Sequence, residues 1–375
     1  MVDFDEFISI REGFLIKLND AVDRIIEEKK LMKLDYDYIE KALKPLVKNR
    51  NVDTGSIDIV VPIKKEEMIK IMLDFFMAVD PMFYNKAIRV ILGQDKDIRM
   101  NIYDVHSVKN FNEEGEEDFI EYTPYGVLQN RKGRALVNIP THSELSRKES
   151  KAINKDNLTL DDLYTIVHEI SHSFDLNLDL GKPTKKEIAG EDETYEDNIT
   201  RELTAEATAI AFEAMLSEYL LKNTSYSKSA VKQKSNRRIN SCLQKVRIVY
   251  AKLVLAKEKE EKGEITLDFI ENKMREYNMS IQGARRLAVN IVNSPRDMLM
   301  QNRYAIGGLI APTIIKTYKT RGVEALKEYL EQAKQCNLET TLNQIGVQLN
   351  DEGINELIAN FQEYRQLYDL DMGER

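Results

Sequence analysis

Histidine is nearly absent from this chain of 375 residues, which contains four. Cysteine is rarer still. Cys242 and Cys336 each stand alone, which excludes a disulfide framework or a cysteine knuckle and suggests two reduced thiols in a reducing compartment. A basic excess is also missing. The 54 Lys and Arg against 63 Asp and Glu leave a net charge of −9, whereas a broad nucleic-acid or anionic-membrane surface needs the opposite sign. The longest nearly uncharged apolar stretch, Tyr304 to Ile315, is too short to cross a bilayer and holds two glycines and a proline. The opening MVDFDEFISIREGF lacks the basic start and apolar run of a signal peptide. These absences lead us to expect a soluble, cytoplasmic protein without nucleic-acid or membrane partners.

Hydrophobic residues at 42% argue against disorder, and charged residues at 31% suit a mostly helical protein. From Glu6 to Lys48 apolar residues recur every three or four positions (Phe7, Ile10, Phe14, Leu18, Val22, Ile25), the period of one long or two shorter amphipathic helices. A short alternating segment at Ile57 to Ile63 precedes helical period from Lys64 to Asp80. Between Ile98 and Pro140, β-branched and aromatic residues alternate with polar ones in IRMNIYDV, FIEYTPYGV and RALVNIP, which predicts a small antiparallel sheet. From Thr159 onward nearly every segment has helical period, and no internal repeat or low-complexity linker interrupts it. The expected fold is mainly α, with a minor sheet ahead of the helix described next. We expect residues 1–95 to form an N-terminal helical region and 96–375 the region that carries that helix, both packed as one unit.

Half of the scarce histidine falls in one helical turn, in LYTIVHEISHSFD (Leu163 to Asp175). Thr159 can cap this helix, with Asp162 completing a capping box. Leu163, Ile166, Val167, Ile170 and Phe174 make its buried stripe. His168 and His172, one turn apart, project from the same side. Two neutral imidazoles so spaced can hold one zinc ion, and Glu169, about 100° around the helix, can reach a water beside it. The bland alternative is a pair of ordinary helix histidines. His106 and His142 each stand alone and read as surface or loop residues.

A zinc site of this kind needs a third protein ligand and an open position. The helix TRELTAEATAIAFEAMLSEYLL (Thr200 to Leu221) offers Glu202, Glu206 and Glu213 on one face, with no Lys or Arg between Glu202 and Leu221 to pair with them. Like charges at such spacing cost roughly 0.2–0.5 kcal/mol per pair, so the stripe suggests a cation opposite it, the alternative being a solvated acidic face. Spacing alone leaves both Glu202 and Glu206 open as ligand.

VPIKKEEMIKIMLDFF, LTLDDLYTIVHEISHSFD, EATAIAFEAMLSEYLL and the segment beginning RYAIGGLIAPTIIKTYK occur in an order that resembles the thimet oligopeptidase and oligoendopeptidase F family of zinc peptidases, over roughly residue 58 to the end. The resemblance implies a helical peptidase with zinc at the floor of a channel that admits short peptides. Carried over position by position, it makes His168, His172 and Glu206 the zinc ligands and Glu169 the general base. It makes Glu213 a carboxylate orienting a ligating histidine, and Tyr304, in a Tyr-Ala-x-Gly turn, a group near the substrate that stabilises the oxyanion. The chain departs from the family pattern in four ways. Ser171 stands where the family has glycine, Asp175 stands where it has a later histidine, the His-aromatic cluster that normally precedes that turn is absent, and the N-terminal region is shorter. HEISHSFD followed by TYEDNITRELTAE is also similar to lethal-factor-like toxin peptidases, which would assign Tyr195 and Glu202 instead.

The expected activity is zinc-dependent hydrolysis of peptide bonds in short peptides. The rival expectations are a toxin- or effector-type protease with one protein substrate, a zinc-binding but silent interaction protein, and a helical protein with a chance HEISH.

Overall fold

The tie that places the histidine helix begins at a proline-bounded dipeptide. The computed structural model describes residues 4–31, 59–95, 98–103, 108–111, 117–120, 126–129, 135–140, 158–175, 195–273, 303–335 and 337–368, with a few isolated helical positions between them. Pro62–Ile63 (β1) pairs antiparallel with Leu158–Thr159 (β7), matching Ile63 with Leu158, and Leu160 N donates to Val61 O at 2.9 Å. That two-residue ladder starts two helices side by side, α2 (Lys65–Val79) and α4 (Leu160–Asp175). Asp80 ends α2 and caps α3 (Pro81–Ile91), its side chain accepting from Met82 N ahead of a proline already set at helical φ.

Between them the chain forms β2 (Ile98–Tyr103), β3 (Val108–Phe111), β4 (Glu117–Ile120), β5 (Gly126–Gln129) and β6 (Ala135–Pro140). The β5–β6 and β3–β4 pairs are antiparallel as alternation suggested. β2 and β6, however, run parallel, with Ile98 opposite Ala135, so the three-stranded sheet is mixed. Alternation reports which faces a strand presents; it carries no information on the direction of a partner reached through a long connection.

The remaining elements are helices: α1 (Phe4–Leu31), α5 (Tyr195–Asn223), α6 (Lys228–Lys262), α7 (Leu267–Lys273), α8 (Arg303–Arg321), α9 (Val323–Ala333), α10 (Leu338–Gln344) and α11 (Asp351–Tyr368). The N-terminal periodicity resolves as one helix to Leu31. Its Leu18, Val22 and Ile25 join Val246, Tyr250 and Phe361 in one core. A second core gathers α2, α3, α4, α9 and α10 around Phe75, Phe76, Phe83, Phe174 and Phe212, whose rings meet tilted or edge-on, as in Phe83–Phe174 at 4.7 Å. α5 and α8 contribute to both cores and form the wall between them.

The Tyr-Ala-x-Gly segment read as a turn is instead the first turn and a half of α8, which continues through Pro312 to Arg321. Its glycines serve close packing. A Cβ on Gly307 would lie 2.9 Å from Ala207 N and 3.1 Å from Glu206 Cβ, so only glycine lets α8 press onto α5 at that point. No described helix is long and apolar enough to cross a membrane. His106, His142, Tyr122, Tyr125 and Cys336 lie outside the described residues, as does the side chain of Tyr195, the first residue of α5.

Candidate metal centre

The cap of α4 is half of the box expected from the sequence. Asp162 Oδ2 accepts from Thr159 N at 2.7 Å and from Thr159 Oγ1 at 2.8 Å, so the carboxylate reaches back as a capping box requires, while the hydroxyl donates to that carboxylate. Leu163, Ile166, Val167, Ile170 and Phe174 are all buried. That anchoring stripe fixes the rotation of α4, and the rotation turns His168 and His172 toward α5. Ser171, in the position of the family's glycine, is fully buried, and its hydroxyl donates to Val167 O at 2.6 Å within the helix.

His168 Nε2 and His172 Nε2 lie 3.2 Å apart, with the rings edge-to-face. From α5, Glu206 Oε2 comes to 3.4 Å from His168 Nε2, and Oε1 to 4.0 Å from His172 Nε2. One donor atom from each of the three residues falls within 4.8 Å of the others, and all three residues are buried. A tetrahedral ion with bonds of about 2.0–2.1 Å holds its ligand atoms about 3.3 Å apart, close to the two shorter separations here. Glu206 Oε2 is buried and has no hydrogen-bond partner. An orphaned carboxylate oxygen facing two imidazole nitrogens is a costly arrangement for a folded chain on its own. Two nitrogens and one oxygen also form a donor set that suits zinc, so the residues fit a divalent ion. Glu202 is not part of this group. It sits a turn earlier on α5, 34% exposed, and pairs with Arg303.

The electrostatics of the site pull its groups apart. Burial alone would lower the His168 imidazolium, but Glu206 and Glu213 outweigh burial and raise it well above the usual range. Burial drives His172 down to about 4, against the attraction of Glu206. Burial would raise Glu206, yet His168, His172 and Arg303 hold it at about 2. Glu169, buried and next to the pair, is pushed up to about 7 by desolvation, which the His168 charge only partly offsets. A proton therefore rests on His168, where it stands in for part of the charge a metal would bring.

The acidic stripe of α5 has cations after all, contributed by other helices. Glu213 Oε1 lies 2.8 Å from His168 Nδ1 and pairs with Arg238 on α6, so it backs the ring nitrogen opposite the one facing Glu206. Arg303, at the start of α8, pairs with Glu202 and brings Nε to 3.1 Å from Glu206 Oε1. Tyr304 follows it, with the Arg303 guanidinium 5.3 Å from its ring centre. Burial and then Glu206 raise the Tyr304 phenol to about 12, so it keeps its proton. A cavity of about 360 Å³ lies between α5, α6, α8 and α11, with His168, Glu213 and Tyr304 on its wall beside apolar Ile210, Ala311 and Phe361.

No family model matches the sequence, and no curated protein does. The structure is similar to the crystal structure of a putative peptidase from Chlamydophila abortus, with a TM-score of 0.57 and 10% sequence identity. The two proteins share a fold over most of this chain. The match covers 94% of this chain and 55% of the other, so the chain spans about half the length of that protein.

Proposed function

We propose that the chain is a zinc-dependent peptidase acting on short peptides, with His168, His172 and Glu206 as metal ligands and Glu169 as general base. The observation that carries the reading is the buried His168–His172–Glu206 group with its orphaned carboxylate oxygen. The peptidase-like fold and the ordered resemblance to the oligopeptidase family support it.

Bound zinc would polarise the scissile carbonyl and acidify the attacking water. Glu169, buried beside the two histidines, takes the water's proton and passes it to the leaving amine nitrogen. Tyr304, protonated throughout, donates its hydroxyl to the developing oxyanion. The His-aromatic cluster that precedes this segment in the family is absent from the sequence, which leaves the Tyr304 phenol as the donor for that role. Glu213 lies against His168 Nδ1, which leaves Nε2 for the metal.

The test is Glu169→Gln on the whole chain. Elemental analysis should still find one zinc per chain, while cleavage of a quenched peptide library falls by about 10²–10⁴. Turnover retained in that variant would sink the mechanism, and a wild-type chain that takes up no metal would sink the site.

A further inference from the structure

Glu206 already has a cation beside it. Arg303 makes its aligned hydrogen bond to Glu202, through Nη1. Toward Glu206 it presents Nε at 3.1 Å without a hydrogen bond of good geometry, and that Nε is buried and otherwise unpartnered. The guanidinium is thus anchored on one carboxylate and leans on the other. The two carboxylates differ in the same sense, since the Glu202 side chain is 34% exposed and the Glu206 side chain 5%. A guanidinium cannot relieve crowding by losing a proton. A divalent ion on Glu206 and a guanidinium against the same carboxylate repel each other in a poorly hydrated site. Arg303 must therefore move when metal arrives, and Glu202 offers a hydrated place to which it is already bonded.

On the metal-site reading above, we propose that Arg303 is an internal counter-ion to Glu206 that competes with the metal and yields by withdrawing onto Glu202. The Glu202–Arg303 pair then sets how tightly the His168–His172–Glu206 group holds its ion. Glu202 acts through Arg303 and not as a ligand. In the metal-free chain Arg303 also relieves the repulsion between two carboxylates one turn apart on α5.

The experiment measures zinc affinity of the whole chain by competition with a chromogenic chelator, in wild type, Arg303→Gln, Glu202→Gln and the double variant. Arg303→Gln should bind zinc about tenfold more tightly, because the competing charge is gone. Glu202→Gln should bind about tenfold more weakly, because the guanidinium is left with Glu206 alone. In the Arg303→Gln background, Glu202→Gln should have little further effect, a coupling that simple loss of a distant negative charge would not produce. Equal affinity in wild type and Arg303→Gln, or the same Glu202→Gln effect in both backgrounds, overturns the proposal. If Arg303→Gln does not fold, Glu202→Gln decides alone, and an affinity equal to or above wild type overturns it. A wild-type chain that binds no zinc defeats the metal reading beneath instead.

Discussion

The α4–α5 seam buries polar groups at both of its ends, on opposite terms. At one end Tyr164 Oη, Ser217 Oγ and Ser235 Oγ lie 2.9 and 2.8 Å apart, with Val231 O and Glu213 O as further acceptors. Every hydroxyl there has a partner, and the network simply joins α6 to the seam. At the other end two imidazole nitrogens face each other, a carboxylate oxygen has no partner, and neighbouring carboxyls are driven to about 2 and about 7. Both ends are buried, so burial does not separate them. Satisfaction does. A chain gains nothing for its own folding from the second arrangement, and local conflict that persists inside a consistent core marks a place kept for something other than stability.

The largest way to break this contrast is to relieve the conflict. Glu169 has an ordinary carboxyl value of 4.5 unfolded and about 7 folded. Because the folded value is the higher one, the folded chain holds the proton more tightly, and stability is lost as pH rises from about 4.5 through 7. The difference corresponds to about 3 kcal/mol above pH 8. Glu169→Gln removes the ionisation, so in the metal-free chain it should match wild type near pH 4 and exceed it by up to about 3 kcal/mol at pH 8. Urea unfolding at the two pH values reads this directly. Bound zinc should close the gap by favouring the carboxylate. A variant no more stable than wild type at pH 8 would mean that the site is not strained there.

Glu213 sits at the boundary, its carboxylate on His168 and its carbonyl in the hydroxyl network. If it serves the metal end, Glu213→Gln should weaken zinc binding by about 10–100-fold, the usual cost of losing a partner that orients a ligating histidine. Chelator competition measures it, and unchanged affinity would assign Glu213 to the structural end.

The part of this site that was legible in the sequence is the part written within one helix. His168, Glu169 and His172 follow from a four-residue spacing, and the stripe from Leu163 to Phe174 gives the face they flank. The choice between Glu202 and Glu206 lay beyond spacing, because both share a face of α5 and the level at which α4 packs against it decides which one meets the histidines. Arg238 and Arg303 gave no signal of their own. Arg238 sits in the Arg-Arg pair of a long helix rich in cations, Arg303 at the edge of an apolar segment, and their partners are 25 and about 100 residues away in the chain. The stripe on α5 suggested a cation opposite, and the structure sets two guanidiniums and an imidazole against its carboxylates. Gly307 misled by its ordinary meaning, since glycine beside glycine reads as a turn until a neighbouring backbone is seen to need the space.

The smallest effect makes the sharpest control. Tyr164→Phe deletes one hydroxyl from the satisfied end and keeps the ring over which the Arg238 guanidinium lies, 4.9 Å from its centre. Ser217 and Ser235 still have each other and two carbonyls, so no buried group is left stranded and the loss is one net hydrogen bond, about 1 kcal/mol by denaturant midpoint. Zinc affinity should stay at the wild-type value, because nothing in contact with His168 has changed. An affinity that fell as far as in Glu213→Gln would show the two ends to be one network, with the hydroxyls tuning Glu213 through its helix, and satisfaction of hydrogen bonds would then no longer distinguish the structural end of the seam from the chemical one.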